Sequence, residues 1–243
     1  MKKTLFIAGL TDGIPIAAGY FAVSFSFGIA AVAAGLAPLE ALIISMTNLT
    51  SAGQFAAIGI ISGGGSYIEM ALSQLVINLR YSLMGLSLSQ KLDSSFSRLH
   101  SLLLGHAVTD EIFAVAMSRP KKIRPLYFLG LTALPYIGWS AGTAAGAFLG
   151  ALLPDALRSA LSVSLYGMFI AIIVPAAKKE RPILIVTAAA IAISCIIRYV
   201  PAFSFISSGF SIIICAVAAS AIGACLFPAD EDEQNGQGAE KQI

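Results

Sequence analysis

The chain has 243 residues, 57% of them apolar and only 12% charged, with a mean hydropathy of +0.85. Soluble domains are about 45–50% apolar and about 25% charged, which excludes a soluble nucleic-acid binder, a disordered chain and a disulfide scaffold. Net charge is +2, but five of the thirteen acidic residues (Asp230, Glu231, Asp232, Glu233, Glu240) sit in the C-terminal tail. The body is therefore more basic than the net charge suggests, and the composition is that of a membrane protein.

A helix crosses ~30 Å of hydrocarbon with roughly 20 apolar residues, so this length accommodates about eight crossings and no folded soluble domain. Met1-Lys2-Lys3 imitates the basic start of a signal peptide, but Thr11-Asp12 interrupts the short apolar run that follows, which reads as mature sequence. The first span is expected from about Gly13 to Gly35 and the second from Pro38 to Ser62. After Gly63-Gly64-Gly65 comes a third, Tyr67 to Ser89. A shorter and more polar fourth segment covers His100 to Met117, followed by the basic stretch Arg119 to Arg124. The fifth runs from Pro125 to Leu153, long enough to tilt or break near Pro135. The sixth is Asp155 to Pro175, the seventh Ile183 to Val200 and the eighth Phe203 to Phe227. Such runs do not alternate in the ~10-residue units of a membrane barrel. The expected class is an all-α polytopic helix bundle, with residues 1–228 as one transmembrane domain and 229–243 as an acidic, disordered cytoplasmic tail. Cys195, Cys215 and Cys225 lie in apolar runs without metal-ligand spacing and read as buried, inert thiols.

The fourth segment decides the count. If it spans, with the N-terminus inside, the inner ends hold Lys2, Lys3, the bases of 119–124, Lys178, Lys179, Arg181 and Lys241. That matches the enrichment of Lys and Arg in short cytoplasmic loops better than the seven-span alternative. Pro38-Leu39-Glu40-Ala41-Leu42 is echoed by Pro154-Asp155-Ala156-Leu157, a weak sign of a parallel internal repeat.

A charged side chain at mid-span costs roughly 2.5–3.5 kcal/mol on insertion scales, so polar groups within spans mark a pathway. Ser45, Asn48, Ser51 and Gln54 recur at i+3 in the second span; on an α-helix they drift about 180° around the axis. A tightened or opened helix would align them, and Gly53 is the expected break. Packing between helices by small polar residues explains the same pattern. In the third span Gln74 and Asn78 share a face, and Arg80 sits too deep to snorkel. In the fourth, His106 and Asp110 stand four apart, the spacing at which a carboxylate orients an imidazole, with Glu111 beside them. Pro15 and Pro135 are candidate hinges, and Gly142-x3-Gly146-x3-Gly150 permits close helix contact.

Gly13-Ile14-Pro15, Pro38-Leu39-Glu40-Ala41, Ser51-Ala52-Gly53-Gln54-Phe55, Asn78-Leu79-Arg80-Tyr81 and Thr109-Asp110-Glu111, in this order, resemble the AzlC-type (azaleucine-resistance) family of bacterial branched-chain amino acid permeases. The chain departs from that pattern at Thr50-Ser51 and at Tyr81, where a histidine often follows the arginine. The resemblance implies export of leucine, isoleucine or valine, and methionine as a further candidate, through the bacterial inner membrane. It also implies a small hydrophobic AzlD-type membrane subunit as partner. A zwitterion needs a cation or helix N-terminus for its carboxylate, an acceptor for its ammonium, and an apolar cradle. Arg80 is the expected cation for the substrate's carboxylate, with polar contacts from Asn48, Ser51, Gln54 and Asn78. His106, Asp110 and Glu111 are the expected proton-coupling groups. No phosphate-binding loop motif occurs, and neither cofactor nor metal is expected. A secondary transporter is thus expected rather than an enzyme, with a channel or a non-transporting scaffold subunit as the alternative.

Overall fold

The computed structural model describes residues 2–154, 156, 163, 167, 170 and 173–228. The regular elements among the described residues are all helices, and one isolated bridge joins Leu92 to Ile123. They fall into two compact units, Met1–Ile170 and Ala171–Ile243. Most of the expected sixth span and the whole acidic tail lie outside the described residues, although residues 173–179 are helical and carry that element past Pro175 to Lys179.

The first unit is built on α1 (Lys2–Ala33) and α7 (Pro125–Leu149). They run parallel in direct backbone contact. A methyl placed on Gly13 would meet the Leu131 carbonyl oxygen at 2.8 Å, and one on Gly138 would meet that of Ala17 at 2.6 Å. Gly142 and Gly146 face the carbonyls of Phe21 and Phe25 in the same way. Small residues of this kind let helix backbones approach without an intervening layer of side chains. Both helices run unbroken through their prolines, so no break occurs at Pro15 or Pro135. α1 also begins earlier than the expected Gly13, because Thr11 returns its hydroxyl to the Ile7 carbonyl and leaves the helix intact.

Between them the chain does something that hydropathy does not reveal. The stretch from Pro38 to Ser62 is two short helices, α2 (Pro38–Thr47) and α3 (Ser51–Ser62), separated by extended residues at Asn48 and Thr50. The expected break at Gly53 is therefore corrected: Gly53 lies inside α3, and Thr50 starts that helix by accepting the Gly53 N–H. The two helices fold back on each other. Gln54 bonds Ser45, and Ala41, Ile58 and Leu36 share one core cluster with Phe27, Ala31 and Ala147. This hairpin enters and leaves at the end where α1 finishes, which corrects the expected second crossing.

α4 (Tyr67–Lys91) then runs the full 25 residues back, about 37 Å at α-helical rise. The next stretch repeats the pattern. α5 (Arg98–Gly105) and α6 (Asp110–Ser118) are separated at His106 to Thr109, and Thr109 caps α6 as Thr50 caps α3. The feet of this second hairpin are tied together: Ile123 N–H donates to the Lys91 carbonyl and Asp93 N–H to the Ile123 carbonyl. The expected fourth crossing is thus also a hairpin that leaves on the face it entered.

Long helix, short helix, threonine cap and short helix therefore occur twice, roughly 60 residues apart and with opposite direction, the arrangement of an inverted repeat. α7, parallel to α1, opens on the starting face again. With α1's start, this near face carries Lys3, Lys91, Arg98, Arg119, Lys121, Lys122 and Arg124, whereas residues 34–66 contain neither Lys nor Arg.

The second unit holds α8 (Arg181–Tyr199) and α9 (Ser208–Leu226), antiparallel, with Val186 against Gly223. Like α1, both are long and apolar enough to cross a membrane. Ile185, Ile191, Ile196 and Val217 stand exposed on them, as a lipid-facing surface requires. Cys195 and Cys225 are exposed rather than buried, on these apolar helices.

Candidate functional site

Two hairpins entering from opposite faces bring their tips together halfway along α1, α4 and α7. Helix starts leave first-turn N–H groups without an intrahelical acceptor, and they carry the positive end of the helix dipole. At α3, Thr50 satisfies the N–H groups of Gly53 and Gln54 through its hydroxyl and carbonyl. Those of Ser51 and Ala52 have no acceptor within the helix, and α3 has no acidic residue in its first turn. At α6 the first turn carries Asp110 and Glu111, which offset the dipole.

α4 lies alongside both tips and supplies a polar strip to each. Toward α3, Gln74 Nε2 donates to the Gly53 carbonyl at 2.9 Å, and Asn78 Nδ2 donates to Gln74 Oε1 at 3.1 Å. Toward α6, Arg80 Nη1 pairs with Asp110 Oδ2 at 2.9 Å, both side chains about half exposed. Arg80 also bonds the Tyr81 hydroxyl at 3.3 Å and lies 5.0 Å from that ring's centroid.

α1 and α7 complete the surround. The Tyr20 hydroxyl on α1 lies 2.5 Å from both Glu111 Oε2 and Thr109 Oγ1. A phenol has one proton, which the carboxylate receives, so the Thr109 hydroxyl donates to the phenol oxygen. Ser45 and Thr143 share a hydrogen bond at 2.6 Å, and Gln54 Nε2 donates to Ser45 at 3.1 Å, which ties the first hairpin to α7. Tyr136 of α7 donates to the Met46 carbonyl at 3.0 Å, in the last turn of α2.

Four buried side-chain oxygens around the first tip have no hydrogen-bond partner: Ser51 Oγ, Gln54 Oε1, Ser73 Oγ and Asn78 Oδ1. Buried polar atoms are normally satisfied, by protein or by something bound. With the two first-turn N–H groups of α3 that lack an intrahelical acceptor, they form a polar cluster that its own side chains do not saturate.

The matching family model, described as AzlC protein, covers residues 15–153, more than half of the chain and both hairpins. The chain belongs to the AzlC family. An uncharacterized membrane protein of Archaeoglobus fulgidus is 30% identical over 195 residues, 79% of this chain and 85% of that one. Inner membrane protein YgaZ of Escherichia coli is 28% identical over 191 residues, 76% of this chain and 78% of its own length. An uncharacterized membrane protein of Helicobacter pylori is 28% identical over 152 residues, 60% and 66% of the two chains. No solved structure matches. With its apolar helices, this AzlC-family chain is a membrane protein.

Within the AzlC-family region, the structure gathers Ser51, Gln54, Asn78, Arg80, Asp110 and Glu111 around the two tips, and Asn48 stands at the first tip itself. His106 is not brought to Asp110. The helix ends between them, so the i,i+4 relation that would align them is absent. His106 instead donates Nδ1–H to the Leu103 carbonyl at 2.7 Å and stacks edge-on with Tyr136, centroids 5.9 Å apart. It lines an apolar cavity of about 740 Å³ between α5, α7 and the start of α1, with Leu103, Leu129 and Ile137. Four residues of the site were assigned no role from sequence, Tyr20, Thr50, Thr109 and Thr143, although Thr50 and Thr109 stand in the Thr50-Ser51 and Thr109-Asp110-Glu111 motifs read there. For two of them a signal existed, since a threonine followed by polar residues and an apolar run is a helix-start pattern. Tyr20 and Thr143 carry none; their roles depend on the α1–α7 register.

Proposed function

We propose that this chain is a secondary transporter that exports branched-chain amino acids, leucine, isoleucine or valine and also methionine, across the bacterial inner membrane. It acts as the large subunit beside a small hydrophobic AzlD-type partner and does no covalent chemistry. One observation carries this reading: two half-helix N-termini from opposite faces meet the polar strip of α4 midway through an inverted repeat. Transporters place substrates at such a junction, with the helix start facing the anionic group.

In this reading the substrate carboxylate is received by the start of α3 and the guanidinium of Arg80. Ser51, Gln54 and Asn78 offer the unsatisfied oxygens that an ammonium group needs. Asp110 and Glu111 are the proton-coupling groups. The basic near face is cytoplasmic by the enrichment of Lys and Arg on that side, which puts the N-terminus inside. Lys178, Lys179 and Arg181 at the start of α8, against Arg198 at its end, put the C-terminus inside as well.

The test is counterflow of labelled leucine in vesicles holding the chain together with its small partner. Accumulation driven by unlabelled leucine, lost in Arg80→Ala at equal membrane abundance, supports a carrier. No counterflow from the wild-type pair overturns it in favour of a channel or a scaffold.

A further inference from the structure

The start of α6 is held from two sides by two adjacent carboxylates, and the two contacts differ in kind. Glu111 is bonded to a neutral phenol on α1. Asp110 is bonded to a cation, Arg80 on α4, through a single nitrogen, both side chains about half exposed. An ion pair this exposed contributes little by itself. A free carboxylate can compete for the guanidinium, whose geometry suits bidentate capture.

The geometry points to a partner exchange at Arg80, resting on the substrate reading above: empty, Arg80 holds Asp110; loaded, it holds the amino acid's carboxylate, and the displaced Asp110 takes up a proton. The balance is one amino acid and one proton bound together. A proton from solution forms the Asp110 O–H bond, the Arg80–Asp110 ion pair is broken, and an ion pair between Arg80 and substrate replaces it. Without its cation, a carboxylate beside a second carboxylate is favoured in its neutral form. The groups facing Asp110 are consistent with this assignment. α4 presents Arg80 and Tyr81, α1 presents Tyr20, and α6 itself presents Glu111. The ionisable side chains of α7 are engaged elsewhere, Tyr127 with Asp12 and Tyr136 with the Met46 carbonyl, and His106 before α6 bonds the Leu103 carbonyl.

The exchange also has a mechanical consequence. While Arg80 holds Asp110, the tip of the second hairpin is tied to α4; once substrate takes Arg80, the tip keeps its tie to α1 through Tyr20. Loading therefore loosens the α4–α6 contact on one side and leaves the other side in place.

The test is equilibrium binding of labelled leucine, isoleucine, valine and methionine to the purified full chain with its partner in lipid nanodiscs, from pH 5.5 to 8.5. Wild type should lose affinity by about tenfold per pH unit once Asp110 is ionised in the empty protein, the slope of one linked proton. Asp110→Asn should bind tightly with no pH slope. As a check that needs no variant, leucine added to weakly buffered wild-type protein should take up about one proton per molecule bound. A flat wild-type profile, a slope that survives Asp110→Asn, or no proton uptake overturns the exchange alone. No binding of any of the four amino acids at any pH overturns the substrate reading as well.

Discussion

Arg80 and Tyr20 reach the start of α6 from opposite helices, and their chemistry separates their roles. Arg80 supplies charge, so Arg80→Lys keeps the charge but loses the planar donor pair and should cut transport by about tenfold or more. Tyr20 supplies position. Tyr20→Phe removes the hydroxyl shared by Glu111 and Thr109 while keeping the ring against Trp139, centroids 5.3 Å apart. Leucine counterflow should fall in Tyr20→Phe without loss of protein from the membrane; unchanged counterflow would remove Tyr20 from the site. Arg80, Asp110 and Glu111 are legible in the sequence because a charge inside an apolar run is costly and hence conspicuous. Ser45 and Gln54 stand out as polar groups in an apolar run, but Thr143, the partner of Ser45, is an ordinary small polar residue among glycines. Nothing local distinguishes it, because its meaning comes from a helix roughly 100 residues away in sequence.

The hairpins are where reading the chain as spans fails, and the cause is physical. A helix pair that enters and leaves on one face contains as many apolar residues as a helix that crosses, so mean hydropathy is the same for both. What differs is capping. Thr50 and Thr109 each accept a first-turn N–H from their side chain, and such caps contribute about 1 kcal/mol. Thr50→Val and Thr109→Val should each lower thermal stability in detergent by that order, while Thr47→Val, inside α2 with its hydroxyl on the Ile43 carbonyl, should cost less. The foot of the second hairpin depends on Asp93, whose carboxylate accepts the Ser95 hydroxyl and N–H, which holds it below the ordinary carboxylate range. A depressed value means that this stabilisation is present above the unfolded value of about 3.9 and is lost as pH falls through the folded one. The stability gap between wild type and Asp93→Ala should therefore be steady from pH 5 to 8 and close below about pH 4.

For the whole molecule, the inverted repeat changes the meaning of the basic residues. Read as eight crossings, the chain places Lys91 and Arg98 on the face opposite the 119–124 cluster. The bridge between Leu92 and Ile123 puts them side by side, so the charges of one face are more concentrated than the sequence reading allows. Reporter fusions at Ser94 and Lys121 should report the same side, and a fusion at Gly64 the other. Opposite sides for Ser94 and Lys121 would restore the fourth crossing. The all-α class was legible because apolar runs of this length have no other solution in lipid. The order of directions was not, because it is fixed by contacts between segments and not by any segment's own composition.

The glycine seam between α1 and α7 has one further consequence. Where side chains interleave, helices slide by changing rotamers; where backbone touches backbone, no such compliant layer exists. Gly146 against the Phe25 carbonyl leaves no room for even a methyl group, while Gly85 on α4 has open space around it. Gly146→Ala should thus be strongly destabilising and Gly85→Ala neutral or mildly stabilising in thermal unfolding. The pair α1–α7 then behaves as a fixed frame, and any movement that carries a solute past it falls to the hairpins and α4. An apparatus of this design has its stationary and mobile parts written in different residues: glycine where it must hold still, threonine and arginine where it must let go.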